Sequence, residues 1–295
     1  VVGARAPDPA AVSVAGLMAL EPRAARAGRE ASALAERPGT TATRLRGQGH
    51  EIREIRPFAE GDEPRHIDAA ATARSGSLQV RSFHEDRERN LLLIADFRRP
   101  MLWGTAGRLR SVAAAEVLAL MGWQASLHGG AVGVVALTDD GPDGQPPRPR
   151  HRGMAMVTAC LARAHAAALA AAERAAAHGK AAPVRPLAAD LVRAARQAPP
   201  GAGIVLATAL DDPGEGFDAA LAILAARGPL QLILVEDPFE VAPPARALPH
   251  ALPEGAAFAR FAGLPADRAA RAARLARPGL RVRRLSTTAE PEAAE

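Results

Sequence analysis

Residues 91–100 read LLLIADFRRP. Leu91 to Ala95 form an unbroken apolar run that stops at Asp96. A half-buried strand would place a polar side chain at every second position, so a short continuous run is expected for a strand covered on both faces, at the centre of a parallel sheet. Working downstream, Leu109 to Leu127 reads as a helix and Ala131 to Leu137 as a second apolar strand. The Pro-, Gly- and Arg-rich segment from Asp139 to Gly153 reads as a loop. Two alanine-rich helices follow, about Met154 to His178 and Leu187 to Gln197, then strand Gly203 to Thr208, helix Phe217 to Arg227 and strand Leu230 to Glu236. A last helix and strand fall between Asp267 and Leu285. This alternation predicts an α/β fold with a doubly wound, mainly parallel sheet. Asp96, Asp139 and the loop after Thr208 then converge at the carboxyl ends of the strands, where such sheets bind ligands.

Upstream, Val14, Leu17, Leu20 and Ala24 have helical spacing within a leading helix predicted over Val12 to Ala35. The charged, Gly-punctuated stretch from Arg44 to Arg74 reads as a strand and turn insertion, and Leu78 to Phe83 as an edge strand. The division expected is residues 1–90 for the helix and charged segment, 91–286 for the α/β domain and 287–295 for a disordered tail.

The chain has 295 residues, 48% of them apolar, and a net charge of +5 from 37 basic and 32 acidic residues. All basic residues but Lys180 are arginine, so the excess reflects a general use of Arg rather than a nucleic-acid patch. The clusters Arg148 to Arg152 and Arg281 to Arg284 have no aromatic residues interleaved with them, and no nucleic-acid partner is expected. The single cysteine, Cys160, cannot form an intramolecular disulfide, which fits a reducing compartment. The longest uncharged stretch, Val117 to Thr138, carries Gln124, Ser126, His128 and Gly129-Gly130 at its middle, so no membrane span is expected there. No signal-peptide pattern opens the chain, and the expectation is a cytoplasmic protein.

Motifs for catalysis fail one by one. A P-loop needs Gly-Lys followed by Ser or Thr, and Lys180 is followed by alanine. Gly47-Gln48-Gly49 follows no convincing strand, so a dinucleotide turn is rejected. No Gly-x-Ser-x-Gly elbow occurs, and Cys160 sits in a helical pattern as a buried, inert thiol. The eight histidines make no zinc set, and His66, Asp68 and Asp62 lie in a turn where Asp ordinarily satisfies its own backbone. No catalytic residue, metal or cofactor is therefore expected.

One pattern is specific. Gly47-x-Gly49-x-Glu51, Arg56-Pro57-Phe58, Gly61-Asp62, Arg65-x-Ile67-Asp68, Ala73-Arg74 and Leu78-x-Val80-Arg81 precede the strand that ends in Asp96. This resembles the bacterial family called domain of unknown function fifty-eight, apart from Ala69, where the family favours tryptophan. The resemblance implies a von Willebrand factor A-like domain in a non-enzymatic adaptor. The implied partner is a MoxR-type AAA+ ATPase, acting in maturation, metal insertion or remodelling of a client, with a methanol-dehydrogenase-type enzyme as one candidate. Von Willebrand A domains hold Mg²⁺ on Asp-x-Ser-x-Ser plus a Thr and an Asp from later loops. Here the motif reads Asp96-Phe97-Arg98-Arg99-Pro100, and the later strand ends in Thr208-Ala209, so a degenerate, metal-free site is expected. Arg98 is expected to receive a partner's carboxylate bidentately in the metal's place. Glu51, Arg56, Gly61, Asp62, Arg65, Asp68 and Arg74 are expected to form a structural clasp, with direct partner contact as the rival role. The alternative function is a metal-dependent hydrolase using Asp96 with Asp211 or Asp212 and a neighbouring His; the charge of Arg98 and the absence of a nucleophile weigh against it.

Overall fold

The structure, a computed structural model, describes residues 8–26, 52–59, 62, 64–83, 90–179, 184–252, 255–275 and 279–294. In chain order its strands are β1 (Ile52–Pro57), β2 (Gln79–Phe83), β3 (Asn90–Asp96), β4 (Ala131–Thr138), β5 (Gly141–Pro149), β6 (Gly203–Thr208), β7 (Leu230–Glu236), β8 (Leu248–Leu252), β9 (Gly255–Ala259) and β10 (Leu280–Ser286). Residues Thr40–Glu88 form one compact unit and the remainder another.

In the larger unit six strands form one sheet in the order β10-β7-β6-β3-β4-β5, every neighbouring pair parallel except β4 with β5. Alternate residues of β3 supply two cores. Leu91, Leu93 and Ala95 face the helices Arg110–Leu127 and Arg150–Ala177, while Leu92 and Ile94 face Leu187–Ala195 and Phe217–Ala225. Helices thus cover both faces, as expected for a doubly wound α/β sheet, and the continuous apolar run has its physical cause. Leu91, Leu92, Leu93 and Ile94 are each 0% exposed, and burial of such a side chain is worth about 2 kcal/mol.

The segment read as a loop after Asp139 is instead the antiparallel edge strand β5. Its four prolines, Pro142, Pro146, Pro147 and Pro149, hide it from a propensity reading, yet an edge is where a strand tolerates residues without an N–H. The pairing shifts register between Val132 and Val134, and a Cβ on Gly133 would lie 2.7 Å from the Pro147 nitrogen, so only glycine admits this close approach.

The leading helix is two short ones, Val14–Met18 and Glu21–Arg26, the first capped by the Ser13 side chain. Leu17, Leu20 and Ala24 join the core on the Arg110–Leu127 side, and Trp123 Nε1 donates to the Leu17 carbonyl at 3.0 Å. That cover explains why almost the whole circumference of helix Arg110–Leu127 is buried. Residues beyond Arg26 in the expected helix lie outside the described residues. The expected disordered tail is also corrected over residues 287–294. Thr287 is buried and donates to the Ala106 carbonyl at 2.9 Å, Arg108 donates to the Ala289 carbonyl at 2.7 Å, Arg23 pairs with Glu290 and Glu292, and Ala294 is buried. An antiparallel hairpin, β8 with β9, was missed in the sequence.

Helix Arg150–Ala177 is the one helix among the described residues long and apolar enough, by length and composition, to cross a membrane. Met154, Val157, Leu161, Ala164 and Ala168 recur at helical spacing and form its buried side in the core.

In the smaller unit β1 pairs antiparallel with β2, so the edge strand expected over Leu78 to Phe83 lies in a two-stranded ribbon. A helix not expected from the sequence, Ala69–Ser75, lies between them in the chain, capped by the Asp68 carboxylate on Ala71 N at 2.8 Å and closed by Gly76 in the left-handed conformation.

Candidate functional site

Asp96 and Thr208 end β3 and β6, neighbours in register, at the point where the strand order reverses direction. Loops diverge there and leave the crevice that α/β sheets use for ligands. The expected convergence is seen. The Asp139 carboxylate, just after β4, accepts from Arg99 N at 2.8 Å and Arg185 N at 3.0 Å, drawing the loops after β3 and before helix Leu187–Ala195 together.

At the centre lies Arg98, 0% exposed. Its Nε donates to Asp96 Oδ1 at 2.9 Å and one terminal nitrogen to Asp96 Oδ2 at 2.8 Å, a fork on a carboxylate that is itself 1% exposed. That nitrogen also donates to the Asp211 carbonyl at 2.9 Å, and the other reaches the carbonyls of Arg185 at 2.7 Å and Asp212 at 3.0 Å. All five N–H groups of the guanidinium therefore have acceptors. Thr208 Oγ1 donates to Asp96 Oδ2 at 2.7 Å, and Arg98 N donates to Asp96 Oδ1 at 3.1 Å. Burial works against the charge of Arg98, but the hydrogen bonds and charge of Asp96 outweigh it and raise the guanidinium pKa.

Two of the expected site positions act through their backbones. Ala209 donates its N–H towards Met101 Sδ at 3.1 Å and accepts from Arg268 at its carbonyl, and the Pro100 carbonyl accepts from Arg110. The loop holding the carbonyl acceptors is strained: Leu210 and Asp212 have φ of 59° and 47°, a region that costs a side-chain-bearing residue about 1–2 kcal/mol.

This geometry corrects the expected role of Arg98. With no exposed surface and no donor to spare, it cannot fork onto a partner's carboxylate; the acid it grips is Asp96. The Mg²⁺ implied by the resemblance does not fit either. The ion needs an octahedron of oxygens at about 2.1 Å, whereas here a cation already lies against Asp96 and position 100 is proline, with no side-chain oxygen. Among the described residues no group of three or more His, Cys, Asp or Glu could hold a metal ion.

Beside the Arg98 pair lies a second network, which the sequence reading missed. Arg110 donates to Glu240 Oε1 at 2.9 Å and pairs with Asp211 at 3.0 Å; Arg268 pairs with Glu240 and, at 3.1 Å, with Asp211; Arg271 adds a contact to Asp211 at 2.7 Å. The Trp103 ring lies 4.9 Å from the Arg110 guanidinium carbon, in cation–π range. Burial alone would raise the Asp211 carboxyl, but Arg110 and Arg268 outweigh it and hold it below the ordinary carboxylate range. Asp211, one of the hydrolase candidates, is thus committed to three arginines, while Asp212 meets Arg98 through its carbonyl. One sequence signal was present: Asp237 and Glu240 have capping-box spacing, and they form that box around helix Pro238–Val241. Arg110 and Arg268 carry no local signal.

In the smaller unit the Arg56 guanidinium forks onto Asp62, 2.9 Å to Oδ2 and 2.7 Å to Oδ1, and Asp62 also accepts from Ala59 N at 2.8 Å. Asp68 works as the cap described above, and Arg74 is exposed in the last turn of its helix. Glu51, Gly61 and the Arg65 side chain lie outside what is described. Cys160 is 0% exposed and burial pushes its thiol up to about 11, the environment of an unreactive cysteine.

No curated protein and no solved structure matches the chain. A family model described as Protein of unknown function DUF58 matches residues 54–250, taking in the Arg56–Asp62 fork, Asp96, Arg98 and Thr208. The match extends over more than half the sequence, and the chain belongs to that family.

Proposed function

We propose that the protein is a non-enzymatic, von Willebrand factor A-like adaptor that binds a MoxR-type AAA+ ATPase and assists it in maturing or remodelling a client protein. The observation that carries the non-enzymatic part is the closed Asp96–Arg98 pair at the topological switch point. A carboxylate 1% exposed and forked by a buried arginine, with Thr208 Oγ1 as second donor on Oδ2 and Arg98 N as second donor on Oδ1, has no lone pair left for proton transfer or metal binding. The sheet order, with a single antiparallel edge strand and helices on both faces, supports the von Willebrand A-like reading. The ATPase partner and the client class rest on the family resemblance. On this reading the energy of the reaction cycle comes from the ATPase, and this chain contributes recognition.

The test is co-purification of the full chain with a MoxR-type ATPase from the same genome, with ADP, with a non-hydrolysable ATP analogue and without nucleotide. A nucleotide-dependent complex is expected. Absence of any complex in all three states would remove the adaptor reading. Calorimetry with Mg²⁺ and Mn²⁺ should give no saturable binding, and micromolar affinity would contradict the closed pair.

A further inference from the structure

We propose that the switch point of this sheet is a guanidinium cage, a site shaped for a planar five-donor cation and filled by the chain's own Arg98, rather than a dication site that has lost ligands. Acceptors meet the guanidinium around its whole edge: both Asp96 oxygens and the carbonyls of Arg185, Asp211 and Asp212, at 2.7–3.0 Å. Each nitrogen is about 1.3 Å from the central carbon, so these oxygens ring the centre at roughly 3.5–4 Å. A Mg²⁺ or Ca²⁺ needs oxygens at about 2.0–2.6 Å and would reach only part of such a ring. A lysine ammonium, with three donors on a point charge, would also leave acceptors unmet.

Three elements converge on the cation, each held in place by further contacts of its own, among them Leu187 N on the Asp212 carbonyl at 3.3 Å. The left-handed Leu210 and Asp212 flank Asp211, and this strained loop delivers two carbonyls to one group. The Arg185 carbonyl is brought in by the Arg185 N–H on Asp139 and by the Arg185 side chain on Asp190. Thr208 fixes the far oxygen of Asp96. Arg98 is thus a positioning residue that ties the loops after β3 and β6 to the one before helix Leu187–Ala195. The inference requires no partner and stands apart from the adaptor reading.

The test removes the tethered cation and offers a free one. Arg98→Ala is refolded from urea with 10 mM ethylguanidinium chloride, ethylammonium chloride, MgCl₂, CaCl₂ or NaCl at matched ionic strength, and followed by near-ultraviolet circular dichroism and melting. For a millimolar Kd, ethylguanidinium raises the variant's Tm by about 3 °C and its refolded fraction with it. The other cations give less than half that shift, and wild type does not respond. Arg98→Lys is expected to melt closer to Arg98→Ala than to wild type. The proposal is overturned if ethylguanidinium neither stabilises nor refolds Arg98→Ala, including the case in which the variant folds under no condition. It is also overturned if Mg²⁺ or Ca²⁺ does as well, if wild type gains equally, or if Arg98→Lys matches wild type.

Discussion

Replacing Asp96 by asparagine keeps the shape of the side chain and removes one charge from the centre of the site. Arg98 would then be a buried cation whose principal counterion is gone. Removing one member of a buried ion pair costs about 3–5 kcal/mol, because the other is left desolvated without compensation. The lower end applies here: the asparagine oxygen can still accept from Arg98, and the three carbonyls continue to bind it. At about 2–3 °C per kcal/mol for a chain of this size, a loss of about 3 kcal/mol lowers Tm by roughly 6–9 °C. The internal control is Asp143→Asn, which breaks the 2.6 Å pair with Arg163, whose side chains are 57% (Arg163) and 49% (Asp143) exposed. Exposed pairs are worth about 0–1 kcal/mol, so this variant should melt within about 3 °C of wild type. Both are measured by calorimetry in low salt and in 0.5 M NaCl. Salt should leave the Asp96→Asn difference unchanged, since the pair it breaks is inaccessible to counterions. An Asp96→Asn shift no larger than that of Asp143→Asn would refute the reasoning.

Other substitutions probe separate parts of the molecule. His165 is buried at 3.0 Å from Ser111, and burial lowers its pKa to about 4. The unfolded chain titrates it near 6.5, so the stabilising contribution is present above that pH and is lost as pH falls towards 4. The loss amounts to about 3 kcal/mol; urea midpoints at pH 7.5 and 4.5 should show it in wild type and less of it in His165→Gln. Gly107→Ala forces a side chain onto φ +73° with its Cβ 2.4 Å from the Thr287 carbonyl oxygen. It should cost more than about 2 kcal/mol, read by thermal melting, whereas Gly129→Ala, at φ +83° in open space, should cost only about 1. Asp68→Ala removes the cap of helix Ala69–Ser75 at about 1 kcal/mol, and limited proteolysis should then cut faster within the 64–83 region without changing cleavage in β3 to β7.

The α/β architecture was legible because the signals for β3, β6 and β7 are local: uninterrupted Leu, Ile and Val runs that only two-sided burial explains. The end of β3 at Asp96 and its convergence with Asp139 followed from the topology rule. What failed to show was decided by neighbours far along the chain. β5 is a strand despite four prolines because it needs pairing on one side only, and residues 287–294 are ordered because Arg23 and Arg108, both more than 170 positions away, hold them. An arginine at position 98, where the pattern implied by the resemblance has serine, was visible, and so was its conflict with Mg²⁺. Its consequence was misjudged, since a guanidinium's value to a partner depends on whether its donors are free, and the carbonyls of Arg185, Asp211 and Asp212 that occupy them have no side-chain signature. Arg110 and Arg268 escaped notice for the same reason, in a chain where arginine is common everywhere.

The two margins of the large sheet resist elongation. On one flank β5 presents Pro142, Pro146, Pro147 and Pro149, which lack the amide hydrogen that an added chain would have to bond. On the opposite flank β10 bears Arg281, Arg283 and Arg284, with Arg283 donating to the Ala294 carbonyl. Strand exchange or fibril-like stacking through either margin of this sheet is thereby discouraged.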